Sequence, residues 1–129
     1  MPLILIVDDS PAMRAYVKRT LQLAGVPVQS VFEASNGQEA LDVVGRENAP
    51  PARLDLIFAD INMPVMNGEE FVKQLKTQEN DKQIPVIIIS TDATQKRVMR
   101  LRELGAVGYI SKPCAPEMIR LKVEQVISR

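Results

Sequence analysis

Four short apolar runs, each breaking off on polar or charged residues, constrain this chain more than any other feature. Residues 3–7 (LILIV) run into Asp8-Asp9, 54–59 (LDLIFA) into Asp60, 86–89 (VIII) into Ser90, and 107–110 (VGYI) lead to Lys112. All four read as strands; residues 3–7, uniformly apolar, read as one covered on both faces, the kind built into parallel sheets, and 86–89 as the most continuous buried run. A fifth run, 28–33, is more polar and reads as a strand nearer a sheet edge.

Helical patterns separate the runs. Ser10 and Pro11 form a cap and a first helical residue, followed by Met13, Tyr16, Val17, Leu21 and Ala24 at helical spacing, with Gly25 as the C-cap. Residues 38–46 carry Ala40, Leu41, Val43 and Val44 on one side. Residues 69–76 turn Phe71, Val72 and Leu75 inward and place Glu69 and Glu70 in the first turn, where they suit the helix dipole. Thr94 caps a helix with Val98, Met99, Leu101 and Leu104, closed by Gly105, and 116–127 carry Met118, Ile119, Leu121, Val123 and Val126. Residues 48–53 (NAPPAR), 61–68 (INMPVMNG) and Lys112-Pro113 read as surface loop, loop and turn.

Five strands thus alternate with five helices across one domain, residues 1–129. Strict alternation predicts an α/β fold, a doubly wound parallel sheet with right-handed crossovers and helices on both faces. Ligands in such sheets bind at the carboxyl ends of the strands. Asp8, Asp9, Asp60, Ser90 and Lys112 all fall there. Three carboxylates brought together must take up protons or hold a cation. Composition narrows that cation. The chain has no His and a single Cys114, so the ligands are oxygen and the ion hard, such as Mg²⁺. Asp9 and Asp60 are the natural direct ligands, Asp8 the holder of a metal-bound water. Lys112 and Ser90 complete an anion site beside them, an arrangement suited to phosphoryl transfer onto a carboxylate.

The same composition excludes other chemistry. Without His there is no Ser-His-Asp triad, His-ligated zinc or haem, or phosphohistidine carrier, and without Trp there is little material for stacking sugars or flavins. Sixteen basic and sixteen acidic residues cancel, so no global field draws the chain to nucleic acid or an acidic membrane. No apolar run approaches the roughly twenty residues of a membrane span, and residues 3–7 do not read as part of a secretory leader. A lone cysteine fits a reducing, cytoplasmic setting.

The stretches IVDDSPAMR, EASNGQEAL, LIFADINMPVMNGEEF, PVIIIST and GAVGYISKP, spread along the whole chain, resemble the receiver domains of two-component response regulators, in particular the single-domain chemotaxis type. The resemblance implies a flavodoxin-like sheet of order 2-1-3-4-5. It implies Asp60 as phospho-acceptor from a histidine kinase or phosphotransfer protein, in a Mg²⁺-dependent reaction, and Asp8 and Asp9 as the acidic pair for the metal. The main-chain carbonyl of Asn62 would be a further ligand, Lys112 the partner of a phosphoryl oxygen, and Ser90 and Tyr109 the switch pair. It also implies a signalling protein, not a conventional enzyme, with self-phosphorylation from a phosphodonor and autodephosphorylation. The output partner would dock on the fourth helix, fifth strand and fifth helix, and the chain would be a monomer or weak dimer. Cys114 stands where the family often has Phe, and Thr91 where many members carry Ala.

The fourth helix sets Lys96, Arg97, Arg100 and Arg102 against Glu103. That charge reads as a solvated face or as a docking surface for an acidic partner. Three alternatives have less support. An aspartate-nucleophile phosphatase wants a second carboxylate two residues after Asp60, where Asn62 stands. A flavin carrier wants a hydroxyl- and Gly-rich loop in place of DDSPAM. A receiver serving only as a phosphorylation-independent structural or dimerisation module would not need the acidic pair, the acceptor and the Lys together.

Overall fold

The computed structural model describes residues 2–49, 51–92 and 94–127. In chain order the elements are β1 (Ile4–Val7), α1 (Pro11–Leu23), a 3₁₀ turn (Val28–Ser30), β2 (Val31–Ala34), α2 (Gly37–Glu47), β3 (Leu56–Ala59), α3 (Gly68–Leu75), β4 (Val86–Ser90), α4 (Gln95–Leu104), β5 (Gly108–Ser111) and α5 (Pro116–Ile127). All neighbouring strands pair in parallel, in the order β2-β1-β3-β4-β5. The doubly wound parallel sheet expected from the alternation, with the flavodoxin-like order implied by the family resemblance, is therefore the fold.

The pleat sorts each apolar run onto two cores. Leu5, Val7, Ile57, Ala59, Val86 and Ile88 face Phe71, Val72, Leu75, Val44 and Leu101 of α2, α3 and α4. Ile4, Ile6, Phe58, Ile87, Ile89 and Ile110 face Val17, Leu21, Ile119 and Val123 of α1 and α5. Because β1, β3 and β4 are covered on both sides, their sequences cannot alternate.

Register fixes where the strands stop. Val7 lies opposite both Ala34 and Ala59, Ala59 opposite Ile88, and Ser90 opposite Ser111. The ladder runs one bond further at each end. The Asp8 amide donates to the Ala34 carbonyl, the Asp60 amide to Val7 and the Lys112 amide to Ser90, at 3.0, 2.9 and 2.8 Å. The functional side chains thus begin where sheet hydrogen bonding ends.

Several boundaries differ from the sequence reading. The 28–33 run is a strand only from Val31. The Ser30 amide donates to the Pro27 carbonyl and closes a 3₁₀ turn first. The α1 C-cap is Ala24, and Gly25 is the left-handed residue after it, at φ +100°. Met99, Met118 and Leu121 are exposed at 54%, 44% and 47%, so the buried faces of α4 and α5 are narrower than the apolar spacing suggested.

Leu54 precedes β3 because another partner takes its hydrogen bond, whereas Asp55 extends the ladder, its amide donating to the Leu3 carbonyl at 2.8 Å. The Leu54 amide donates to Asn48 Oδ1 at 2.9 Å, and the Asp55 carboxylate accepts from the Leu3 amide at 2.9 Å. The expected surface loop 48–53 is thus anchored at its first residue: Asn48 is buried and its Nδ2 donates to the Asn80 carbonyl and the Asp81 carboxylate. Pro50 of that loop, and Met1, Ser128 and Arg129 at the ends of the expected domain, lie outside the described residues.

Asn48 sits at the sheet edge opposite the carboxylates. Asn48→Ala leaves the buried Leu54 amide without an acceptor and should cost about 1–3 kcal/mol in urea unfolding. It should leave the chemistry at Asp60 unchanged, and a loss of stability below about 0.5 kcal/mol would show the anchor to be dispensable.

Candidate functional site

Three strand ends and one loop assemble the site. Asp8 and Asp60 follow β1 and β3, are buried, and are bridged by Lys112, which follows β5. The Lys112 ammonium donates to Asp8 Oδ2 at 2.9 Å and to Asp60 Oδ2 at 3.0 Å. Burial alone would lower the ammonium's pKa; the hydrogen bonds and charges of the two carboxylates outweigh it, and Lys112 is held above the ordinary lysine range.

The remaining oxygens are oriented from the backbone. Asp8 Oδ1 accepts from the Ser10 amide at 2.9 Å, and Asp60 Oδ1 accepts from the Ile61 amide at 2.7 Å. Ser10 also caps α1 through the Met13 amide, so one residue starts the helix and aims the acid. Arg14, one turn into α1, donates to the Asp8 carbonyl at 2.7 Å and to Glu33 at 3.0 Å, bracing β1 against β2.

Asp9 is exposed and leans over the same mouth. One oxygen each from Asp8, Asp9 and Asp60 lies within 4.8 Å of the others. This all-oxygen donor set suits a hard divalent cation. Asn62 is exposed, two residues beyond Asp60, and among the described residues no donor is paired with its main-chain carbonyl.

Ser90 closes β4 with no exposed surface, and its Oγ accepts from the Asp92 amide at 3.2 Å. Tyr109, on neighbouring β5, is half-buried and donates its phenol to the Asp92 carbonyl. Burial, then the nearby Asp92 charge, push that phenol's pKa up. The structure thus groups Asp8, Asp9, Asp60 and Lys112 directly, and links Ser90 to Tyr109 through Asp92.

Some contributors were not legible as such. Gly68 follows Asn67 and reads as a turn residue, yet its role is steric. A Cβ there would lie 2.0 Å from the Asp60 carbonyl and 2.9 Å from Ile61 Cα, so α3 can start against the end of β3 only at glycine. On α4, Arg97 and Arg100 read as free cations, but Arg97 pairs with Asp92 and Glu69 at 3.2 and 2.9 Å, and Arg100 lies 3.7 Å from Glu69. The charge available to an outside partner is correspondingly smaller. Cys114 is partly buried beside the α1–α5 core, and burial raises its thiol's pKa, which suits packing better than redox chemistry.

Similarity to known proteins follows the same geometry. The family described as the response regulator receiver domain matches residues 4–124. The chain is 35% identical over 124 residues to the chemotaxis protein CheY1 of Helicobacter pylori, covering 96% of this chain and 95% of the relative. Its fold superposes on Vibrio cholerae chemotaxis protein CheY4 with a TM-score of 0.85 at 36% identity, covering 98% of each chain. It also superposes on the phosphorylated cyanobacterial phytochrome response regulator RcpA with a TM-score of 0.84 at 26% identity, covering 98% of this chain and 94% of that one.

Two glycines separate the steric demand at the site from general helix effects. Gly68→Ala should cost about 1–3 kcal/mol and shift the amide resonances of Asp60 and Ile61. Gly45, exposed within α2 with nothing within 4 Å of a Cβ, should instead gain about 0.5–1 kcal/mol on substitution by Ala. Equal effects at the two positions in denaturation experiments would remove the steric account of Gly68.

Proposed function

Because the chain belongs to the response regulator receiver domain family, we propose that it accepts a phosphoryl group on Asp60 from a phosphohistidine of a histidine kinase or phosphotransfer protein. The observation that carries this reading is the Lys112 ammonium set between the Asp8 and Asp60 carboxylates, with Asp9 beside them. Nothing else in the chain brings three acids to one lysine at a sheet edge among the described residues.

An Asp60 carboxylate oxygen attacks phosphorus while the phosphorus–nitrogen bond of the donor breaks, and the imidazole nitrogen keeps the electron pair. The Ile61 amide, 2.7 Å from Asp60 Oδ1, restrains the carboxylate's rotation. Lys112 already contacts Asp60 Oδ2 and is placed to follow the charge onto a phosphoryl oxygen. Asp8, Asp9, Asp60 and the Asn62 carbonyl would hold Mg²⁺. Bound there, the ion neutralises charge on the phosphoryl oxygens. Asp9, exposed and without a hydrogen-bond partner among the described residues, is the freer ligand. Asp8 is already engaged by Ser10 and Lys112. The chain has no His, so it takes the phosphoryl group on Asp60 and not on an imidazole of its own, and autodephosphorylation releases the group to water.

The output is a change of surface. A phosphoryl group on Asp60 offers new acceptors to the Ser90 hydroxyl. Movement of Ser90 inward would open space for Tyr109, half-buried on the adjacent strand. Ser90 and Tyr109 thereby connect the acid site to the face of α4, β5 and α5, where Met99, Val107, Met118 and Leu121 are exposed. A partner of the chemotaxis type docks there.

Intact-mass measurement after incubation with Mg²⁺ and a small acyl phosphate should show one added phosphoryl group, absent without Mg²⁺ and absent in Asp60→Asn. Incorporation into that variant at the wild-type level would sink the assignment. Asp9→Ala should weaken Mg²⁺ binding more than Asp8→Ala, and Lys112→Ala should leave it intact or tighten it. A titration showing that Lys112 is required for Mg²⁺ would reverse these roles. Coupling between phosphorylation and partner affinity of about 1–3 kcal/mol should fall in Ser90→Ala while Asp60 remains reactive.

A further inference from the structure

Tyr16 carries its ring at core-like spacing on α1, yet it is 37% exposed and the phosphoryl chemistry makes no use of it. Its hydroxyl reaches the loop between β5 and α5 and donates to the Cys114 carbonyl at 2.7 Å, 98 residues away in sequence. That loop, residues 112–115, begins with Lys112. It is sparsely held. Pro113 has no amide hydrogen, nor has Pro116 at the start of α5. Among the described residues its backbone is tied to other elements at two points. The Lys112 amide donates to the Ser90 carbonyl at 2.8 Å, and the Cys114 carbonyl accepts from Tyr16. The Cys114 side chain, small and only partly buried, adds little apolar grip.

We infer that Tyr16 is a positioning residue for Lys112, fixing the β5–α5 loop to α1 so that the ammonium stays on Asp8 and Asp60. At about 4.8 Å per strand, β5 lies roughly 10 Å from β3 and roughly 14 Å from β1. Lys112 therefore crosses the end of β4 to reach both acids, and a small displacement of its backbone changes both contacts together. The helix that holds this backbone is already bound to Asp8. Ser10, the cap of α1, donates its amide to Asp8 Oδ1 at 2.9 Å, and Arg14 donates to the Asp8 carbonyl at 2.7 Å. Tyr16 adds the Lys112 loop to the same helix. One helix thus spans both partners of the Asp8–Lys112 pair, which are 104 residues apart in sequence. The consequence for phosphoryl binding rests on the roles proposed above for Asp60 and Lys112.

Tyr16→Phe keeps the ring and removes the hydrogen bond. Loss of one partly exposed hydrogen bond should weaken beryllofluoride affinity at saturating Mg²⁺ roughly 2- to 10-fold. Phosphorylation by a small acyl phosphate should slow in the same range. Mg²⁺ affinity measured alone should not weaken, because the Tyr16 hydroxyl donates to Cys114 and to none of the three carboxylates. A bond serving only stability would lower the melting temperature without this split. The side-chain resonances of Lys112 in the metal-free protein should also shift. In a Lys112→Ala background, Tyr16→Phe should change neither beryllofluoride affinity nor phosphorylation rate further. Tyr16→Leu, which removes the hydroxyl with a stronger helix former, should show the same split and decides if Tyr16→Phe does not fold. Wild-type beryllofluoride affinity in the folded variant overturns the positioning role and leaves the phosphoryl site standing. An equal loss in the Lys112→Ala background overturns it too. Failure of wild type to bind beryllofluoride overturns the phosphoryl reading. The Lys112 resonances then decide alone whether Tyr16 sets the lysine's position, a shift supporting it and no shift rejecting it.

Discussion

A single ammonium between two buried carboxylates is the contact on which the rest of the molecule depends. Lys112 lies 2.9 Å from Asp8 and 3.0 Å from Asp60, which are 104 and 52 residues away in sequence. Two acids cannot be packed at the ends of adjacent strands unless something cationic accompanies them. The lysine must come from a third strand end, so the sheet has to bring β1, β3 and β5 into one register. The parallel topology meets that demand because every strand presents its carboxyl end to the same edge.

Counted formally, Asp8, Asp9 and Asp60 bring three negative charges to the mouth against one positive charge from Lys112. Arg14 does not alter this balance, since its guanidinium is paired with Glu33 while it braces the Asp8 carbonyl. A divalent cation would balance that formal charge, and the oxygen-only donor set suits a hard one. The acids lie at different depths: buried Asp8 and Asp60 are fixed by backbone amides and Lys112, and Asp9 is exposed.

The strands and their order of charge were legible because doubly covered strands leave continuous apolar runs, and such runs must end where polar groups begin. Asp8, Asp9, Asp60, Ser90 and Lys112 could be placed at one edge from that alone. What stayed hidden depended on three-dimensional contact. The 28–33 run carried strand-like residues but no mark of the Ser30–Pro27 turn that consumes its first half. Met99, Met118 and Leu121 have core-like spacing, yet they lie on the flank of their helices that no other element covers. Arg97 and Arg100 looked unopposed because their partner, Glu69, belongs to a helix almost thirty residues earlier. Gly68 could be read as a turn former, but its need for absent side-chain atoms appears only when α3 is laid on the Asp60 carbonyl.

The same sheet edge explains how a small change of charge can be felt at a distance. The Asp60 carboxylate is already paired with Lys112. A phosphoryl group carries roughly −1.5 to −2 and extends beyond the reach of the original pair. The added charge must find donors, and within the buried rim the unspent hydrogen of the Ser90 hydroxyl is one. Ser90 Oγ accepts from the Asp92 amide and can still donate, so its engagement changes without first breaking a bond. Asp92, however, is shared with Tyr109, Thr94 and Arg97. A tightly packed core transmits such a displacement as a choice between discrete packings instead of absorbing it. The half-buried ring of Tyr109 is the largest side chain bound to that hub, so in the proposed switch its position would follow the charge at Asp60 and change the surface of β5 and its flanking helices.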